Sequence, residues 1–279
     1  MDYRNNPNER LLGSSPYPLV NCAYTLGTPE EARSETFWQM LTKIACPFFA
    51  AKTFISFITI FQITLYIISV AYDPSEESLF RPSYEALNDL GERNATKLQK
   101  FQIWRWITPV LLHASLSHLI FNMIMQLILG TRLEPTVGMK KTLYLYFLCD
   151  FGGNLLGAIL DPNARAVGAS TSIFGMISAM IAWVLMNWHS LEGNAYRVIT
   201  LLVLLILMIM SLITGIVSTQ TDNSGHFGGM IVGFIAAYAI FDYIGQVSDK
   251  DRLWKTCAKA AILAYFAVGL IYFYGFMVI

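Results

Sequence analysis

Three adjacent hydroxyls stand between two glycines in the stretch VGASTSIFG, residues 167–175, where a polar segment turns into an apolar run. A serine there is a useful nucleophile only when a general base can take its proton, and histidine is the side chain best suited to that near neutral pH. The chain holds four histidines. His226 lies in DNSGHFGGM, residues 222–230, and His113 and His118 share HASLSHLIFNM, residues 113–123, with Asn122. His189, in the polar NWHS segment, reads as a structural residue at a loop. At about 100° per residue, His118 and Asn122 sit about 40° apart on one helical face, while His113 is about 140° from His118 and reads as structural.

These residues must be positioned by membrane-spanning helices. Of 279 residues, 55% are hydrophobic and 14% charged, and mean hydropathy is +0.49, against roughly 25% charged residues in an ordinary soluble domain. Apolar runs long enough to cross ~30 Å of hydrocarbon fall at 48–72, 107–130, 142–160, 169–187, 197–218, 225–244 and 258–279, so seven spans are expected. The polar first 45 residues read as a cytosolic tail without a signal peptide. Lys and Arg set the orientation. With the N-terminus inside, Arg4, Arg10, Arg33, Lys43, Arg132, Lys140, Lys141, Arg197, Lys250, Arg252, Lys255 and Lys259 fall inside, against Arg81, Arg93, Lys97, Lys100, Arg105 and Arg165 outside. The one long outer loop, about 73–106, carries the sequon Asn94-Ala-Thr96 and ends in Trp104-Arg105-Trp106, whose rings suit a membrane interface.

The formal net charge is zero and no long basic run occurs, so no nucleic-acid partner is expected. Cys22, Cys46, Cys149 and Cys257 lack metal-type spacing, and three of them lie in or beside apolar runs, so neither a disulfide framework nor a zinc site is suggested; no metal and no cofactor are expected. Cys46, beside the first apolar run, is a palmitoylation candidate, although a plain apolar cysteine is the commoner reading.

In this topology the second, fourth and sixth spans all run from outside to inside, which brings His118, Asn122, Ser170 and His226 to one depth. Gly225, Gly229 and Gly233 recur every fourth residue in the sixth span, and Ser172, Gly175, Ala179 and Ala182 form a small-residue stripe in the fourth. Small stripes let helix backbones approach closely in lipid. If the two stripes face each other, Ser170 comes within reach of His226. The plainer readings are that Ser170 caps its helix and that the stripes only pack. Four such residues at one depth on three helices favour a catalytic cluster over unrelated caps.

These residues resemble the rhomboid family of intramembrane serine proteases, over about residues 48–245. Gly168-Ala-Ser170 with Ile173-Phe174-Gly175 resembles its nucleophile motif, and His226-Phe-Gly-Gly229 with Gly233 its general-base helix. His113, His118 and Asn122 resemble its second-helix pattern, Trp104-Arg105 its outer-loop motif, and Glu134 its inner-loop carboxylate. The seventh span resembles the secretase-type arrangement, most like an apicomplexan member. Where many members have glycine after the nucleophile, this chain has Thr171, which puts the family's cleavage preferences in doubt. The resemblance implies an all-α polytopic membrane protein, with a tail at 1–45, a six-helix core at 46–245 and a seventh helix at 246–279. It implies a Ser170–His226 dyad without a third acid, and Asp222 reads as a loop or capping residue. The oxyanion would be held by the Ser170 N–H, His118 and Asn122. The expected partners are membrane lipid and single-span transmembrane substrates, surface adhesins among them. The active site would face the lumen or exterior of a secretory-pathway organelle or the plasma membrane. Two rivals remain: an inactive rhomboid-like binder of transmembrane proteins, and a transporter with a relay of His113, His118 and His226, for which only Asp150 would supply an acid.

Overall fold

The computed structural model describes residues 52–76, 78–191, 196–217 and 222–278. The tail, with Cys22 and Cys46, lies outside them. The chain is an all-α polytopic membrane protein. Its helices are α1 Phe54–Tyr72, α2 Tyr84–Leu90, α3 Ala95–Gln99, α4 Leu116–Val137, α5 Met139–Leu160, α6 Ser170–Met186, α7 Tyr196–Val217, α8 Asn223–Ile240 and α9 Asp249–Gly275. The seven longer ones match the seven expected spans. By length and composition, α1, α4, α5 and α9 are each able to cross a membrane, while α6 and Arg197–Ile209 within α7 are shorter apolar helices. Two short strands, β1 Pro74–Ser75 and β2 Ser78–Pro82, pair as an antiparallel hairpin after α1.

The second span differs from its expected bounds. Residues 107–115 read as helix because Val110, Leu111 and Leu112 are apolar, yet the carbonyls of Pro109 and Val110 that a continuing helix would use accept instead from Gly168 N at 2.9 Å and Gln62 Nε2 at 2.8 Å, and the backbone turns extended at Leu112. The chain instead forms two tight turns, Ile103–Trp106 and Thr108–Leu111. Regular helix begins only after Ser115, whose hydroxyl accepts from His118 N at 3.2 Å. His113 therefore sits in the preceding loop, where a helical-wheel angle has no meaning. Further on, α4 runs through Pro135 to Val137 and only Gly138 separates it from α5, with a φ of +93° that suits glycine. Arg132, Lys140 and Lys141, expected in a loop, thus lie within helices. The last span also starts earlier than expected, at Asp249, after a capping box formed by Ser248 and Asp251.

At the end of the bundle opposite the long loop, Glu134 closes the start of α1. Its carboxylate accepts from Phe54 N at 3.0 Å and Ile55 N at 3.1 Å, placing negative charge on free N–H groups at a helix's positive end. Glu134→Ala leaves both donors without this acceptor. A loss of about 1–3 kcal/mol is expected, read as a lower thermal midpoint in detergent with activity per folded molecule unchanged. An unchanged midpoint would contradict it.

A buried polar network ties α1, α4 and α5 together. Gln62 Nε2 donates to Val110 O (2.8 Å) and Tyr146 Oη (2.9 Å), Tyr146 Oη donates to Gln126 Oε1 (2.6 Å), and Gln126 Nε2 donates to Thr59 Oγ1 (2.7 Å) and Gln62 Oε1 (2.9 Å). With helices already surrounded by apolar lipid, such hydrogen bonds and close packing replace the hydrophobic effect as the means of association. The closest packing joins α6, α8 and α5. Helix α9 leans on α8 and α5 and exposes Leu253, Leu263, Val268 and Ile271, as a lipid-facing helix should.

Candidate active site

Ser170 is the first residue of α6, and the preceding Ala169 provides no side-chain cap. The Ser170 hydroxyl is not capping the helix either, because Oγ lies 2.7 Å from His226 Nε2. His226 sits in the first turn of α8, with its N–H donated to Asp222 O at 3.0 Å. Its ring stacks on Phe174, with centroids 4.5 Å apart and planes at 26°. Phe174 is one turn below Ser170, so a single helix supplies the hydroxyl and the surface that orients the imidazole. His226 is buried and Ser170 is half-buried.

Glycine makes this approach possible. A Cβ on Gly229 would overlap the Thr171 carbonyl oxygen, and one on Gly233 would overlap that of Gly175. The two helices therefore touch backbone to backbone. The register differs in detail from the expected stripes. Ser172 turns away from α8 and donates to Tyr146 O on α5 at 2.7 Å. The face of α6 that meets α8 is Thr171, Gly175 and Ser178, and Ser178 Oγ bonds Met230 O at 2.8 Å. Those three recur at the i, i+4, i+7 spacing of one helical face. Thr171 is buried, with its methyl group against Gly153 of α5 and Gly229 of α8. Its influence on the site thus passes through helix packing.

The loop before Ser170 is held on two sides. Gly168 N donates to Pro109 O at 2.9 Å, and Ala166 forms a bridge with Arg93. Gly168 has a φ of +125°, and a Cβ there would sit 2.6 Å from His118 Cε1. The His118 ring is thereby set beside the strand of backbone leading to Ser170. Asn122, one turn along α4, is buried; its Nδ2 donates to His118 O at 2.8 Å, and its Oδ1 has no hydrogen-bond partner among the described residues. His113 is wholly buried, its ring centroid 5.3 Å from that of His118, and among the described residues neither ring nitrogen has a hydrogen-bond partner.

Arg105 shapes the outer loop. It donates from Nη1 to Glu92 O (2.9 Å), from Nη2 to Asn88 O (2.7 Å) and from Nε to Gln102 Oε1 (2.7 Å). Burial pushes the Glu92 carboxyl above its usual range, and the cations of Arg165, Arg105 and Lys97 offset part of this. Trp104 is exposed, but Trp106 is buried against Phe151 and Phe273, so only the first of the two rings is free to meet an interface. Asn94 caps α3, its Oδ1 accepting from Lys97 N at 3.0 Å.

A model of the Rhomboid domain matches residues 100–243, just over half of the chain. The chain belongs to the rhomboid family. It is 36% identical over 200 residues to Rhomboid-like protease 3 of Toxoplasma gondii, covering 72% of each chain. It is 32% identical over 218 residues to Rhomboid-like protease 1 of the same organism, covering 78% of this chain and 72% of that one. RHOMBOID-like protein 5 of Arabidopsis thaliana is 31% identical over 186 residues, 65% of this chain and 59% of that protein. Membership supports an intramembrane protease-type function for this rhomboid, in a membrane and on transmembrane substrates.

Two features of the rhomboid core escaped the sequence: Arg93 is buried and paired with Asp222, and Gln62, Gln126 and Tyr146 form the polar network, whereas Glu134 is legible as an inner-loop carboxylate and only the helix start it caps is not. Glutamines inside apolar runs were the readable signal for the network. For Arg93, only its place in an outer loop was visible.

Proposed function

We propose that this rhomboid is a serine endopeptidase, a hydrolase cutting single-span membrane proteins within or near the outer end of their transmembrane helix, with Ser170 as nucleophile and His226 as general base. The 2.7 Å contact between Ser170 Oγ and His226 Nε2 carries this reading. Ser170 Oγ bonds to the scissile carbonyl carbon as its proton passes to His226 Nε2. Collapse breaks the C–N bond, and His226 returns the proton to the departing amine. Water, deprotonated by His226, then hydrolyses the acyl-enzyme and restores the Ser170 hydroxyl. The half-buried side of Ser170 is where water and substrate would enter.

The oxyanion donors in this reading are the Ser170 N–H, His118 and Asn122. The first N–H groups of α6 have no intrahelical acceptor, and the helix's positive end favours a developing anion. The His118 ring beside Gly168 supports its place in the set. Asn122 keeps a second amide hydrogen beyond the one given to His118 O. His118→Ala and Asn122→Ala are each expected to lower kcat by roughly 10²–10³-fold while substrate capture and folding persist. Loss of folded protein in step with activity in both variants would make the pair structural.

The orientation rests on the distribution of Lys and Arg, with residues 1–45 cytosolic and the site facing the lumen or exterior, and the division into a core at 46–245 and a seventh helix at 246–279 rests on the family resemblance and the apolar runs. The relay reading is less favoured, because among the described residues neither His113 nitrogen has a hydrogen-bond partner that would link it to another relay member, and the one hydrogen bond of the Asp150 carboxylate, at Oδ1, comes from Asn154 Nδ2 at 3.0 Å and from no histidine. The function is tested by incubating the purified protein with a panel of single-span substrates, alongside Ser170→Ala.

A further inference from the structure

Two separate segments deliver the dyad. The loop 161–169 leads into Ser170, and Asp222 starts the helix that carries His226. Arg93 touches both. Its main chain pairs with Ala166, Arg93 N to Ala166 O at 2.9 Å and Ala166 N to Arg93 O at 3.4 Å. Its side chain is wholly buried, with Nη1 ion-paired to Asp222 Oδ2 and Nη2 donating to Ala164 O at 3.4 Å. Asp222 has its other oxygen on Gly225 N (3.0 Å), and its carbonyl accepts from His226 N (3.0 Å). The space for the guanidinium comes from Gly157 of α5, where a Cβ would overlap Nη1.

We propose that Arg93 is a positioning residue for the rhomboid reaction: its guanidinium fastens the loop that presents Ser170 to the cap of the helix that presents His226, and so holds Oγ and Nε2 at reacting distance. The proposal rests on the Ser170–His226 dyad. Arginine suits the task because its planar fork can serve Asp222 and Ala164 at once, which the single ammonium of lysine cannot do in the same geometry. The brace acts at the heads of α6 and α8. The contacts of Gly229 and Gly233 hold the same helices further down, so releasing the brace shifts the heads without parting the helices. A misplacement of about 1 Å at a reacting pair lowers turnover on the order of 10²-fold.

The test uses the full chain in proteoliposomes with a single-span peptide substrate. It compares Arg93→Gln, Asp222→Asn, their double variant, Arg93→Lys and Gly157→Ala, with Ser170→Ala beside them. Arg93→Gln and Asp222→Asn are each expected to lower kcat and the rate of Ser170 labelling by a fluorophosphonate about 10²-fold, with KM unchanged. The double variant should be no slower than the worse single one, because both remove one interaction. Arg93→Lys should recover part of the loss. Gly157→Ala keeps both charges, displaces the guanidinium and should also lower kcat, so the proposal stays open to refutation if the charge variants do not fold. Wild-type kcat in Arg93→Gln or Gly157→Ala overturns it. So does a loss of activity that vanishes when rates are expressed per folded molecule. Cleavage persisting in Ser170→Ala would instead overturn the dyad beneath it.

Discussion

Ser170→Ala is expected to remove substrate cleavage, by on the order of 10⁶-fold in kcat, the scale for losing a serine nucleophile, while Ser172→Ala keeps most of it. Ser170 and Ser172 are two residues apart on one helix and so point about 200° apart. Only Ser170 meets the imidazole, at 2.7 Å, whereas Ser172 bonds a carbonyl of α5. Thr171, between them, is buried against glycines. Alanine at 172 removes one buried hydrogen bond, worth about 0.5–1.5 kcal/mol, and leaves the reacting pair untouched. Cleavage assays on a single-span substrate separate the cases: activity retained in Ser170→Ala and lost in Ser172→Ala would mean that the wrong hydroxyl has been assigned.

The second large effect is expected from Gly229→Val. The first added carbon would overlap the Thr171 carbonyl oxygen, and backbone cannot rotate aside as a side chain can. Overpacking a well-filled core costs about 1–3 kcal/mol and occasionally more, and this site belongs at the upper end. Helices α6 and α8 would be pushed apart, taking Ser170 from His226 even in molecules that stay folded. Gly275→Val is the matched control, since no described residue lies within 4 Å of a Cβ there. Thermal midpoints and folded yield should fall sharply for Gly229→Val and stay near wild type for Gly275→Val. Equal behaviour of the two would refute the backbone-to-backbone contact.

Much of this geometry is readable locally. Glycines at every fourth position announce a close helix contact, and a serine and a histidine at two helix heads mark what that contact brings together. The spacing left the register open by one residue, which is why Ser172 belonged to the expected stripe and Thr171 occupies the actual one. Hydropathy misread 107–115 because Val110, Leu111 and Leu112 are apolar, while the carbonyls of Pro109 and Val110 are taken by Gly168 and Gln62, partners that lie far away in the chain. The pairs that join distant segments leave no local trace. Arg93 and Asp222 are 129 residues apart, and Glu134 is 80 from Phe54. Arg93 looks like an ordinary loop charge until the fold supplies its partner, and Glu134 resembles a family carboxylate without any sign of the helix start it caps.

The dyad itself is tested most directly by covalent labelling. Purified protein treated with a fluorophosphonate should carry the adduct at Ser170, located by mass spectrometry of its peptide, and His226→Ala should lose that labelling while remaining folded. Labelling at another residue, or labelling of Ser170 undiminished in folded His226→Ala, would contradict the assignment of Ser170 and His226 as nucleophile and base.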